Sequence, residues 1–212
     1  MKIAIIGAGN VGRALAGSIS KAGYDVIIGS NTKEHAAALA AEVGGTAADS
    51  TIAAVAGADA VVLAIPYPRV DAAIKKNGKA LEGKILIDVT NPLNATFSGL
   101  ATYEPSGAEL IQHRLPQTRV IKAFNTVFAN LMTDPNVDGE AVDGLVAGDD
   151  EDAKKKVLEL VGAIGFHPVD CGPLSAARVL ENMAFLNIAL QAKNSWSRRG
   201  SWKLLLPESD RG

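Results

Sequence analysis

The chain has 212 residues, 48% of them hydrophobic and 21% charged, with a formal net charge of -2, 21 glycines and one cysteine. This leaves ample apolar material for one full-sized α/β domain with a small addition, and it gives neither nucleic acid nor a membrane surface an electrostatic footprint. Cys171 has no partner for an internal disulfide and reads as a small packed side chain, and His35, His113 and His167 are too scattered for a metal site. Met1 and Lys2 lead into an apolar run shorter than a signal segment, and no stretch of membrane-spanning length follows, so a cytoplasmic protein is expected.

In chain order, short β-branched runs alternate with Ala-rich helical segments: KIAII, NVGRALAGSISKA, DVIIG, KEHAAALAAEV, ADAVVLAI, a helix over Val70 to Lys79, and KILIDV. The strands are too continuously apolar to alternate faces, which predicts a sheet buried on both sides with helical crossovers. The expected fold is therefore Rossmann-type α/β, a doubly wound and mainly parallel sheet with a small C-terminal extension. A stretch from Asn91 to about Leu115, rich in Gly, Pro, Thr and Ser, is too long for a silent connector and predicts a functional loop with a helix at Gly107 to His113. TRVIKAF, GLVAG and FHPVD read as three more strands, with the helix DDEDAKKKVLELVGAIG between the last two. Its acids, Asp149 to Asp152, suit a helix start, and Lys154 to Lys156 are expected on its solvated face. ARVLENMAFLNIALQAK reads as a long helix with one apolar face. The expected division is a dinucleotide-binding part over 1–140 and a small α/β part over 141–212 that forms a substrate pocket or a dimer contact.

Gly7-Ala8-Gly9-Asn10-Val11-Gly12 fits G-x-G-x-x-G directly between a strand and a helix. In that context the first glycine makes a tight turn, the second admits a pyrophosphate to the backbone, and the third packs helix on strand. Which dinucleotide binds is decided at the end of the second strand, where an acid would hold a ribose 2′-hydroxyl and repel a 2′-phosphate. Here the chain reads Ser30-Asn31-Thr32-Lys33, with His35 close behind, a polar and partly cationic cup that argues for NADP over NAD. The competing role for Ser30 and Thr32 is to cap the following helix. Later strands end in Ala64-Ile65-Pro66-Tyr67-Pro68, Thr90-Asn91-Pro92-Leu93 and Ala123-Phe124-Asn125-Thr126, where the riboses and nicotinamide of a bound cofactor are expected.

Together IGAGNVGRALA, the GS at the second strand end, AIPYP, DVTNPL, KAFNT and ARVLENMA resemble the NADP oxidoreductases that use the 8-hydroxy-5-deazaflavin coenzyme F420, and related domains occur in flavin-linked ferric reductases. The resemblance runs over nearly the whole chain. It implies hydride transfer between nicotinamide C4 and deazaflavin C5 in stacked rings. Gly9, Asn10 and Val11 would then contact the phosphates, Ser30 and Asn31 the 2′-phosphate, Ala64, Ile65 and Pro66 the adjoining ribose, and Asn91, Pro92 and Ala123 the nicotinamide side. Family members commonly carry Arg in place of Asn31 and Lys near His35. Such a transfer needs orientation and exclusion of water more than an acid and a base, so no catalytic acid, base or metal is assigned. Leu93, Phe124, Asn125, Met183 and Leu186 are the expected contacts of the partner ring, and Arg178, Arg198 and Arg199 the candidates for its anionic tail. Trp196 and Trp202 are candidates for a ring clamp or a subunit seal, and a homodimer covering the C-terminal helix is expected. An NADPH-dependent flavin or ferric reductase, with FMN, FAD or a flavin-bound iron acceptor in place of the deazaflavin, and an NADP-binding sensor without turnover are the alternatives, ahead of a small-carbonyl or imine dehydrogenase, for whose large helical domain the chain leaves too little length.

Overall fold

The computed structural model describes residues 1–207. Strand β1 (Lys2–Ile6) leads through Gly7 into helix α1 (Asn10–Lys21), whose Gly12, Ala14, Leu15, Ala16 and Ile19 form one buried face. The chain continues through β2 (Asp25–Gly29), α2 (Lys33–Val43), β3 (Thr46–Ala47), α3 (Thr51–Ala56) and β4 (Ala60–Leu63). Next come α4 (Val70–Leu81), β5 (Ile85–Asp88), α5 (Gly107–Arg114) and β6 (Arg119–Ala123). After α6 (Ala129–Thr133) a small hairpin, β7 (Asn136–Val137) and β8 (Glu140–Ala141), precedes β9 (Asp143–Gly148), α7 (Glu151–Ala163), β10 (His167–Asp170) and α8 (Ala177–Lys193).

Eight strands form one sheet in the order β10-β9-β6-β5-β4-β1-β2-β3. All neighbours are parallel except β6 and β9, which pair Ile121 with Gly148 and Ala123 with Val146 in antiparallel register. The sheet thus continues across residue 140, with β9 and β10 extending it beyond β6. Helices cover both faces, and the two main apolar clusters lie on opposite sides of it, one around Ile5, Leu15 and Ile28, the other around Ile6, Leu63 and Leu86. Because β1 is flanked by β2 on one side and β4 on the other, the chain reverses direction of winding there, and a crevice opens at the carboxyl ends of those strands.

Two expectations about helix faces do not hold. Lys154 is not on a solvated face: it is 3% exposed, shares the buried side of α7 with Ala153, Val157 and Leu160, and pairs with Glu151 at 2.9 Å and Asp170 at 3.3 Å. Helix α8 buries Glu181, Asn187 and Gln191 beside Ala177, Leu180 and Ala184 and exposes Val179, Leu186 and Leu190, so its inward face is mixed and part of its apolar surface points outward. Each inward polar group has a use. Asn187 Nδ2 donates to the Gly200 carbonyl at 3.0 Å, and Gln191 Oε1 accepts from Arg198 N at 2.9 Å, which fixes the start of the C-terminal tail.

The cofactor crevice

The three motif glycines do different work. Gly7 has φ +114°, and a Cβ there would stand 2.2 Å from the Ala64 carbonyl oxygen; at Gly12 it would stand 1.9 Å from the Gly7 carbonyl oxygen. Both are needed for the fold itself. Gly9 has ordinary backbone angles, φ -79° and ψ -171°, and a Cβ there would meet nothing within 4 Å. It projects into open crevice instead. The α1 N-terminus that it starts has no capping side chain and no acid in its first turn, so its free backbone N–H groups and positive dipole face the crevice.

Two hollows meet over Gly9. One, of about 730 Å³, lies between the β2 end and α4 and is lined by Gly7, Gly29, Ser30, Asn31, Thr32, His35, Thr51, Arg69, Ala72, Ala73, Lys76 and Asn77. The other, of about 600 Å³, is lined by Asn10, Val11, Tyr67, Pro68, Val89, Thr90, Asn91, Leu93, Asn94, Ala95 and Phe97. Gly9, Ala64, Ile65 and Pro66 wall both, so the two form one crevice across the second motif glycine. No carboxylate lines either hollow among the described residues.

At the β2 end, Thr32 is the N-cap of α2 but its hydroxyl makes no capping bond, and Ser30 Oγ accepts from Thr32 N at 3.2 Å. Capping therefore does not consume the Thr32 hydroxyl. Lys33 lies in the first turn of α2, exposed and off the crevice wall, because the wall follows Thr32 and His35. Two cations not anticipated from the sequence, Arg69 and Lys76, enter from α4 and the turn before it.

Under the second hollow lies a buried charge network. Lys122 Nζ donates to Asp88 Oδ2 at 2.8 Å, to Glu181 Oε1 at 2.9 Å and to the Thr90 carbonyl at 2.6 Å, with all three charged residues 0% exposed. Asp88 Oδ1 also accepts from Thr90 N and Oγ1, at 2.9 and 2.7 Å, and Glu181 accepts from Gly107 N and Ala108 N at the start of α5, at 2.9 and 3.2 Å. Burial alone would push the Lys122 ammonium down; the two carboxylates overcome that and raise its pKa. The network ties β5, β6, α5 and α8 together and holds Thr90 on the crevice wall. Tyr67 is the one titratable side chain lining that hollow among the described residues. Its pKa is raised by burial and by the Glu181 and Asp88 charges, so the phenol stays protonated at neutral pH.

Several expected contacts sit elsewhere. Asn91 is on the wall, but its amide faces inward: Asn91 Nδ2 donates to the Asn125 carbonyl at 2.9 Å, and Asn125 Nδ2 donates to Asn91 Oδ1 at 3.0 Å. Asn125 is buried behind it, also bonded to the Leu180 carbonyl at 3.0 Å. Pro92 is buried just behind the wall, against Gly107. Ala123 and Phe124 belong to the core; Phe124 has φ +63° and sets its ring edge-on to Phe166 at 5.9 Å. Met183 packs against the small cluster of Leu145, Ala147 and Leu180, and Leu186 faces outward. Of the expected ring contacts Leu93 does line the hollow, and the rest of its apolar wall comes from Val89, just after β5, and from Ala95 and the exposed ring of Phe97 on the long loop that follows. Arg178 is held by Glu109 and Glu104, and Arg199 by Asp134. Trp196 is exposed, while Trp202 accepts from Asp143 N at 3.3 Å through its carbonyl.

A doubly wound sheet with a glycine-lined crevice at its switch point defines a dinucleotide-binding protein of the Rossmann class. Residues 2–92 match the profile of the NADP oxidoreductase family that is coenzyme F420-dependent. The F420-dependent NADP reductase of Methanothermobacter marburgensis is 34% identical over 98% of this chain and 100% of its own length. The metalloreductase STEAP3 of Rattus norvegicus is 31% identical over 85% of this chain but only 36% of its own length. A crystal structure from Arthrobacter sp. FB24, provisionally assigned as an F420-dependent NADP reductase, superposes with a TM-score of 0.86 at 30% identity, covering 97% of this chain and 100% of that one. The chain belongs to the family of F420-dependent NADP oxidoreductases.

Proposed function

We propose that this chain is an oxidoreductase that transfers a hydride between NADP(H) and the deazaflavin F420, as the names of its full-length relatives state for them. The observation that carries the reading is the pair of hollows meeting over Gly9, one polar, cationic and free of carboxylates, the other mostly apolar. The residues fit the dinucleotide: Gly9 leaves the backbone bare, and Thr51 Oγ1 and Asn77 Oδ1, on the wall of the polar hollow, have no hydrogen-bond partner among the described residues.

In this reading Gly9, Asn10 and Val11 present backbone N–H groups to the phosphates. Ser30, Asn31 and Thr32 face the 2′-phosphate, and Ala64, Ile65 and Pro66 lie along the ribose between the two hollows. When bound, the nicotinamide supplies or takes the hydride at C4 and the deazaflavin at C5. The chain orients and encloses the rings: Val89, Leu93 and Phe97 exclude water, the Lys122 network fixes Thr90, and Asn125 fixes Asn91. Orientation of this kind supplies most of the rate where no group must be protonated by the protein.

Residues 1–140 carry the dinucleotide in this account, and the part beyond supplies α8, whose outward Val179, Leu186 and Leu190 are 60%, 48% and 37% exposed. That stripe is the seat of a homodimer contact. Among the described residues no helix is long and apolar enough to cross a membrane, and we place the reaction in the cytoplasm. Rapid mixing of NADPH with oxidised F420, FMN and FAD in parallel tests the reading. Fast bleaching of the deazaflavin is expected. Bleaching of the flavins alone would reassign the chain to flavin reduction, and no transfer to any of them would leave a dinucleotide-binding sensor.

A further inference from the structure

The polar hollow has a helix face along one side. Arg69, Ala72, Ala73, Lys76 and Asn77 all line it, the spacing of one side of α4 and the turn before it. The two alanines leave that face low in the middle, and a cation stands at each end. Lys76 Nζ donates to Asn31 Oδ1 at 3.0 Å, so the neutral amide at the β2 end acts as an acceptor that draws the ammonium across the mouth of the cup. Neither Lys76 nor Arg69 has a carboxylate within ion-pairing distance among the described residues, and none lines the hollow. Nearby Asp71 is already taken by Arg114.

We infer that Lys76, with Arg69, holds the 2′-phosphate of the bound dinucleotide and sets the preference for NADP(H) over NAD(H), a role supplied by α4 rather than by a cation at the end of β2. The inference rests on the reading of the crevice as a dinucleotide site. An ammonium already oriented by Asn31 keeps its remaining N–H groups free for phosphate oxygens, and charge-assisted bonds of this kind are the strong ones. Asn31 thus remains useful although it is uncharged. The exposed position of both cations screens the gain, which limits it to about tenfold.

Isothermal titration of wild type, Lys76→Ala and Lys76→Ala/Asn31→Arg with NADPH and with NADH tests this. Lys76→Ala is expected to bind NADPH about tenfold more weakly while NADH affinity moves less than about twofold, and the added Arg is expected to restore most of the NADPH affinity. Equal weakening of both dinucleotides would assign Lys76 to the adenosine they share, and no change in either would place the 2′-phosphate elsewhere; both results overturn the inference while leaving the dinucleotide site intact. A wild type that binds neither would remove the underlying reading as well.

Discussion

Substitution of Gly9 by Val separates binding from folding. The backbone at Gly9 is extended, a conformation Val adopts freely, and the added side chain meets no protein atom within 4 Å of its Cβ. The structural cost is the loss of a permissive helix N-cap, about 1 kcal/mol, or roughly 2–4 °C in Tm for a chain of this size. The same side chain stands where the pyrophosphate approaches the α1 N–H groups. Losing two hydrogen bonds to a charged group removes about 3–6 kcal/mol, a weakening of NADPH binding by roughly 10²–10⁴-fold. Gly12→Val is the contrasting control, since its Cβ would stand 1.9 Å from the Gly7 carbonyl oxygen and must displace backbone. Thermal melts and calorimetric titration of both variants decide the matter. A Gly9→Val protein that binds NADPH within about fivefold of wild type would refute the placement of the pyrophosphate.

Lys122→Met leaves Asp88 and Glu181 buried without their cation and is expected to destabilise the fold by about 3–5 kcal/mol in urea denaturation; a loss below about 1 kcal/mol would show that the network is not needed. The Glu109 carboxyl, held by Arg178 and by Ser106 at the start of α5, is lowered from 4.5 to about 2. Its folded pKa is depressed, so its contribution is complete above pH 4.5 and is lost as pH falls towards 2; Arg178→Ala is expected to flatten the fall in urea midpoint across that window, and an unchanged slope would contradict it. Phe97→Ala, on the apolar wall, is expected to raise the KM for F420 about fivefold at unchanged NADPH affinity, with equal effects on both assigning the ring to the dinucleotide. Leu186→Glu, on the outward stripe of α8, is expected to yield a monomer in sedimentation, whereas an unchanged oligomer would move the contact elsewhere.

What the sequence displays most clearly is what the backbone alone dictates. The apolar runs ending at Ile6, Leu63 and Asp88 mark buried parallel strands, and the glycines after Ile6 mark the turn into α1. Short, weakly patterned pieces are harder to see: α3 is six residues of Thr, Ile, Ala and Val whose start is marked only by Ser50, which accepts from Ala53 N, and β3 has two residues. Charge misleads wherever it is buried. Lys154 and Glu181 sit at core-facing positions by helical spacing, but hydropathy assigns them to solvent; besides the neighbouring Glu151, Lys154 pairs with Asp170, and Glu181 pairs with Lys122, contacts that only the fold brings together. The site follows the same division. Gly9, Ser30 and Ala64 are visible because strand ends carry them, whereas Arg69 and Lys76 reach the cup only because β4 pairs with β1 and sets α4 beside the β2 end.

In the proposed reaction one crevice holds both rings and the hydride passes directly between them. NADPH carrying deuterium on one face of C4, and then on the other, is reacted with oxidised F420, and the C5 position of the reduced deazaflavin is read by NMR. Transfer of deuterium to C5 from one face of the nicotinamide and not the other is the predicted result. Loss of the label to water, or label at C5 from both faces, would contradict it.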